Sequence, residues 1–152
     1  MAARTIPADE IAFGRALLLV TDALGMRAEG AFWLYDSRED KWRYFLITSL
    51  FNSLGSREIY LRLNEALKKQ LSERETREFH LFIGGPKESL VNAVRAAVTT
   101  DIYASVPRTV PVNLDRERTK AIVYRLADPA DARRVRLAKA RFRKLSNEMR
   151  AA

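Results

Sequence analysis

The densest chemistry in this chain is a run of eight basic side chains near its end: Arg133, Arg134, Arg136, Lys139, Arg141, Arg143, Lys144 and Arg150. Only Asp131 and Glu148 oppose them, so residues 130–152 carry +6 while the rest of the chain carries +2. Guanidinium groups at this density suit phosphates, and about six to eight phosphate contacts would make binding fall steeply with salt. Nucleic acid is therefore the expected partner. Val135, Ala138, Phe142, Leu145 and Met149 run between the arginines at spacings of 3, 4, 3 and 4, which is a heptad seam. A seam of this kind must be buried, against the same domain or against another chain. A protein–protein or homo-oligomeric interface through Val135–Met149 is thus the alternative expectation. On the first reading, removing Pro129 to Ala152 abolishes binding. On the second, Phe142→Asp or Leu145→Asp changes the mass in solution. The apolar edge is too narrow, and too poor in tryptophan, for a helix lying on a membrane.

Gly84, Gly85 and Lys87 form the one candidate anion cradle, at a strand–Gly–Gly–Pro–Lys–helix junction. Backbone amides at a helix start bind anions, and a lysine would sit beside them. The P-loop and dinucleotide-binding glycine patterns are both absent, and any strand-to-helix turn uses the same residues. Glu39-Asp40-Lys41, with Asp36 and Asp22, has the acid and lysine content of a metal-dependent nuclease, but the triplet falls in a hairpin turn. His80 shares a strand face with Glu78 and has no nucleophile nearby in sequence. Thr99-Thr100-Asp101 reads as the end of a helix. Trp33, Tyr35, Trp42 and Tyr44 could stack bases, although tryptophans in a central hairpin usually pack in the core. No catalytic residue, metal or cofactor is expected. An enzyme built near Gly84–Lys87 ranks third, behind the two binding readings.

These residues need elements to position them. Pro7, Asp9 and Glu10 open a largely buried helix that ends near Gly25. Residues 31–35 and 41–49 form a hairpin inside the sheet; if Tyr35 stands opposite Trp42, then Trp33 stands opposite Tyr44, with all four on one face. Phe32, Leu34, Phe45 and Ile47 take the other face. Ser56 caps a helix whose stripe is Ile59, Leu63, Ala66 and Leu67. A strand follows over 78–84, then a helix through Leu90, Val91, Val94 and Val98. Strands over 101–106 and 119–126 flank an irregular stretch holding Pro107 and Pro111. Asp128, Pro129 and Asp131 start the last helix, with Asp128 as cap and Pro129 in first position; running to Arg150, it would span roughly 33 Å.

The order α-β-β-α-β-α-β-β-α predicts an α+β domain. Its sheet is mixed or antiparallel, with about five strands packed by three helices, and the basic helix is added at the end. Residues 1–128 make the core, and 129–152 a docked or projecting extension of it. The 152 residues are 47% hydrophobic and 30% charged, which is enough for one proper core. Cysteine is absent and histidine occurs once, which excludes disulfides, thiolate chemistry and a histidine-rich metal site. The arginine excess over lysine, 20 to 7, is explained most simply by a GC-rich genome. No apolar run is long enough for a leader or a membrane span, so a soluble cytoplasmic protein is expected.

Overall fold

In a computed structural model of the chain, which describes residues 5–70, 81–98 and 100–151, four helices surround one five-stranded sheet. The elements are α1 (Ala8–Ala23), β1 (Gly30–Asp36), β2 (Lys41–Ile47), α2 (Phe51–Gln70), β3 (Leu81–Gly84), α3 (Ser89–Ala96), β4 (Ile102–Leu114), β5 (Glu117–Leu126) and α4 (Ala132–Ala151). The strand order is β3-β2-β1-β5-β4. All neighbours are antiparallel except β2 and β3, which run parallel and are joined across α2. A parallel pair needs a crossover of this length, and a helix supplies it. The α+β class, the mixed sheet and the single domain are as the patterning implies.

The hairpin sits at the centre of the sheet, and its pairing is the expected one: Trp33 opposite Tyr44 and Tyr35 opposite Trp42. Strand alternation sends the two faces into different cores. Trp33, Tyr44 and Leu46 face α1, α2 and α4, whereas Phe32, Leu34, Phe45 and Ile47 face α3. The aromatic face is therefore core and not a stacking surface. Trp33 and Tyr44 meet edge to face with ring centroids 5.0 Å apart.

Their polar atoms are satisfied against α1. The Trp33 indole N–H donates to the Tyr124 hydroxyl at 3.1 Å. That hydroxyl donates to the Ile11 carbonyl at 2.6 Å, and the Tyr44 hydroxyl donates to the Gly14 carbonyl at 2.9 Å. Gly14 permits the approach, because a Cβ there would lie 2.7–2.9 Å from Tyr124, Trp33 and Tyr44.

Burial pushes the Tyr124 hydroxyl up to about 12 and raises that of Tyr44 well above the ordinary tyrosine value. The fold therefore favours the neutral phenols, and it holds more protons than the unfolded chain above about pH 10. That contribution is complete below pH 10 and is lost as pH rises toward 12. The urea midpoint should drop between about pH 9 and about pH 11.5, and Tyr124→Phe should shrink the drop. An unchanged midpoint over that window would contradict the burial of these hydroxyls.

Four boundaries differ from the sequence expectation. First, α2 begins at Phe51, but Gly55, at φ 77° and ψ 159°, is non-helical and separates a short leading turn from the helix that starts at about Ser56, so the structure adds the turn before the expected start. Second, β4 continues through Pro107 and Pro111 to Leu114 with a bulge between Tyr103 and Arg108. Both prolines are tolerated because β4 is an edge strand. Third, β4 and β5 join through Asp115 and Arg116, both at positive φ, in a two-residue turn that carries no glycine signal. Finally, α4 is capped by Asp131 and not Asp128: its carboxylate accepts the Arg134 N–H at 2.8 Å, which places Pro129 outside the helix. Glu78 and His80, with Thr99, lie outside the described residues.

Candidate anion-binding face of the C-terminal helix

Helix α4 docks through its seam. Phe142 is 0% exposed and Ala138 is buried, while Val135, Leu145 and Met149 pack against the same core. Within the chain, Phe142 and Ala138 are taken up by the core, and Val135, Leu145 and Met149 are partly buried against it. The expected effects of altering it change accordingly. Removing residues 129–152 would open the core, and Phe142→Asp would place a charge inside it.

Polar contacts fix the C-terminal half of α4 against α2. Arg143 pairs in fork geometry with Glu58 at 3.0 and 3.1 Å, and Arg150 does the same with Glu65 at 2.6 Å in both contacts. The Arg143 hydrogen bond holds the Glu58 carboxyl below its usual range, and Arg150 does the same for Glu65. Arg62 adds bonds to Ser146 at 2.9 Å and Asn147 at 2.7 Å. Arg143 and Arg150 are therefore committed to internal carboxylates. Such exposed pairs contribute little stability individually, but they orient the helix.

The N-terminal half of α4 differs. Arg133, Arg134, Arg136 and Arg141 are exposed there and Lys139 is half-buried, while Lys144, in the C-terminal half, is exposed as well. None of these six forms an ion pair among the described residues.

Two depressions flank this half of the helix. The first, of about 470 Å³, is lined by Arg134 and Arg141 from α4, by Arg27 after α1, and by Arg125 and Tyr103 from the sheet. Its acids are occupied. Asp22 forks onto Arg125 at 2.7 and 2.8 Å, and Asp128 pairs with Arg95 at 3.2 Å. The buried Glu29 carboxylate accepts the Ser49 N–H at 2.9 Å, the Ser49 hydroxyl, and the Ala130 N–H at 3.2 Å. Arg27, Arg134 and Arg141 remain uncompensated among the described residues.

Local geometry explains why Arg27 stands there. Helix α1 ends in a Schellman motif: the Gly25 N–H donates to the Asp22 carbonyl at 2.9 Å and the Met26 N–H to the Thr21 carbonyl at 3.1 Å. Gly25 has φ +76°, and a Cβ on it would lie 2.9 Å from the Arg141 Cβ, so the turn lies directly against α4. Arg27 follows in the left-handed region, at φ 52°, a conformation that favours glycine and recurs at binding sites.

The second depression, of about 420 Å³, lies on the other flank and is lined by Arg136 and Lys87. Ser49, Ala130 and Val135 line both depressions. Lys87 is exposed, while Gly84 and Gly85 are buried. The junction is a turn in which the Glu88 N–H donates to the Gly85 carbonyl at 3.3 Å, and Glu88 itself is the N-cap of α3. Its side chain makes no cap hydrogen bond, but a negative charge at this helix start disfavours a second anion there. The three residues of the expected cradle thus separate. The glycines make the turn, and Lys87 joins the basic surface of α4.

The acidic hairpin turn is likewise occupied by its own structure. Asp36 accepts the Arg38 N–H at 3.0 Å and pairs with Arg43 at 3.2 Å, Glu39 pairs with Arg43 at 3.6 Å, and Asp40 accepts the Tyr35 hydroxyl. Among the described residues, no three acidic or histidine side chains converge as metal ligands. No helix among them is long and apolar enough to cross a membrane.

Sequence reasoning missed Arg27, Arg125 and Tyr103. Their positions depend on how α1 and β4 are laid against α4, and the positive φ of a lone arginine leaves no mark in sequence. No protein-family model matches this chain, and no curated protein or solved structure matches it.

Proposed function

We propose that this protein binds an anionic polymer, nucleic acid, through the N-terminal half of α4 and the two depressions beside it. One observation carries the reading. Docking the apolar seam inward leaves Arg134 and Arg141 on one flank, joined by Arg27, and Arg136 on the other, joined by Lys87. These cations come from separate elements and have no carboxylate partners among the described residues. Arginine suits this role because its planar fork meets phosphate oxygens in pairs. The helix fixes the spacing of the backbone, so the ordering cost of binding is confined to the exposed side chains.

The test is affinity for a duplex and a single strand as a function of salt, comparing wild type with Arg134→Glu/Arg136→Glu/Arg141→Glu. Three exposed sites are altered and the seam is left intact, so the circular dichroism spectrum should persist. Log affinity should fall with log salt at about 0.7–0.9 per phosphate contacted, a slope of roughly 4 for Arg27, Lys87, Arg134, Arg136 and Arg141 together. The variant should lose at least about tenfold in affinity and flatten the slope. Equal affinity and slope in the folded variant would exclude α4 as the contact.

A further inference from the structure

Resting on that reading, we infer that the polymer is single-stranded, with bases stacked on Tyr103 and phosphates held by arginines on either side of it. Tyr103 is 70% exposed, unlike Trp33 and Tyr44 of the aromatic hairpin, which are buried. It is paired with Arg125 in the β4–β5 ladder immediately before the bulge, so its backbone is held by the sheet. Its side chain lines the depression of Arg27, Arg134 and Arg141, and also a neighbouring one of about 200 Å³ bounded by Arg15 and Leu19. Leu19 is 57% exposed on the face of α1 turned to this hollow. Arg15 is exposed and has no carboxylate partner among the described residues.

The arrangement is cation, apolar surface, aromatic ring, cations, laid across α1, β4 and α4. A duplex hides its base faces and offers only a ridge of phosphates, so it would make no use of Tyr103 or Leu19. An unpaired strand exposes both. Each base stacked on an aromatic side chain contributes about 1–3 kcal/mol, while the basic track holds the backbone without reading sequence. Tyr103, Leu19 and Arg15 thereby join the contact surface for an unpaired strand.

Fluorescence anisotropy with a labelled oligothymidylate of about a dozen nucleotides, and with the same strand in duplex form, tests it. The single strand should bind more tightly. Tyr103→Ala should weaken single-strand binding about tenfold, leave duplex binding unchanged, and be rescued by Tyr103→Phe, because stacking needs the ring and not the hydroxyl. Tyr103 is largely exposed, so the alanine variant should keep the wild-type urea midpoint. Undiminished single-strand binding in Tyr103→Ala overturns the stacking site. So does inorganic polyphosphate, which has no bases, if it binds as tightly as the oligonucleotide. In both cases the basic face of α4 stands as the contact. If neither single strand nor duplex binds at low salt, both inferences fall.

Discussion

Phe142→Ala should lower the free energy of unfolding by about 4 kcal/mol, the cost of removing a fully buried aromatic side chain and leaving its cavity. Phe142 is 0% exposed, in the core that also holds Trp33, Tyr44 and Leu63. A loss of that size is a large share of the roughly 5–15 kcal/mol that holds a domain of this kind together. The urea midpoint should fall markedly. Leu137→Ala, on the outer face of α4 and 59% exposed, should change stability by no more than about 0.5 kcal/mol. The pair of variants also decides between two uses of the seam. A seam buried against a second chain would change the mass in solution and spare the midpoint. A seam buried inside the chain lowers the midpoint, and Phe142→Asp then unfolds the protein outright, since the core offers that charge no partner.

Glu29→Ala should destabilise by about 3 kcal/mol, because it strands three donors at once. The Ser49 N–H, the Ser49 hydroxyl and the Ala130 N–H all converge on this buried carboxylate. Glu29 also binds through its backbone, donating to the Ile47 carbonyl at 2.9 Å and accepting from the Ala127 N–H at 2.8 Å. One residue therefore ties the start of β1 to the β2–α2 turn and to the approach to α4. Each stranded donor costs about 1–3 kcal/mol when dry, and entering water lowers the total. Glu29→Gln should cost less, since an amide oxygen still accepts. Amide hydrogen exchange at Ser49 and Ala130 should accelerate in Glu29→Ala, and the shared wall of the two depressions should loosen with it. Wild-type stability and exchange in the alanine variant would show that these contacts contribute nothing net.

Much of the architecture was legible because it is periodic. The 3.6-residue stripes of α2, α3 and α4 and the period-two alternation of β1 and β2 assign each side chain to a face, and burial follows. The polar turn places the hairpin, and the Trp33–Tyr44 pair follows once Tyr35 is set opposite Trp42; a slip of one position would put the aromatics of the two strands on opposite faces. The edges were less legible. Pro107 and Pro111 read as breakers because sequence does not reveal that β4 has a free edge. Asp115-Arg116 holds a tight turn without glycine because the flanking ladder imposes it. The Asp128–Pro129–Asp131 cluster reads as Asp128 capping and Pro129 opening the helix, and only the Arg134 N–H shows that Asp131 is the cap instead.

The basic helix divides along the same line. Its charge excess and its apolar seam are local properties, set by residue type and spacing alone. What the charges are free to do depends on neighbours far away in the chain. Glu58 and Glu65 on α2 occupy Arg143 and Arg150, Arg27 and Tyr103 reach the helix from α1 and β4, and Lys87 arrives from the turn before α3. An arginine's availability is decided by whether a carboxylate lies within a few ångströms, and pairings across about 85 residues of chain are a matter of tertiary packing. The seam settled which side of α4 faces inward; the fold around it decided which of the outward arginines were left uncompensated.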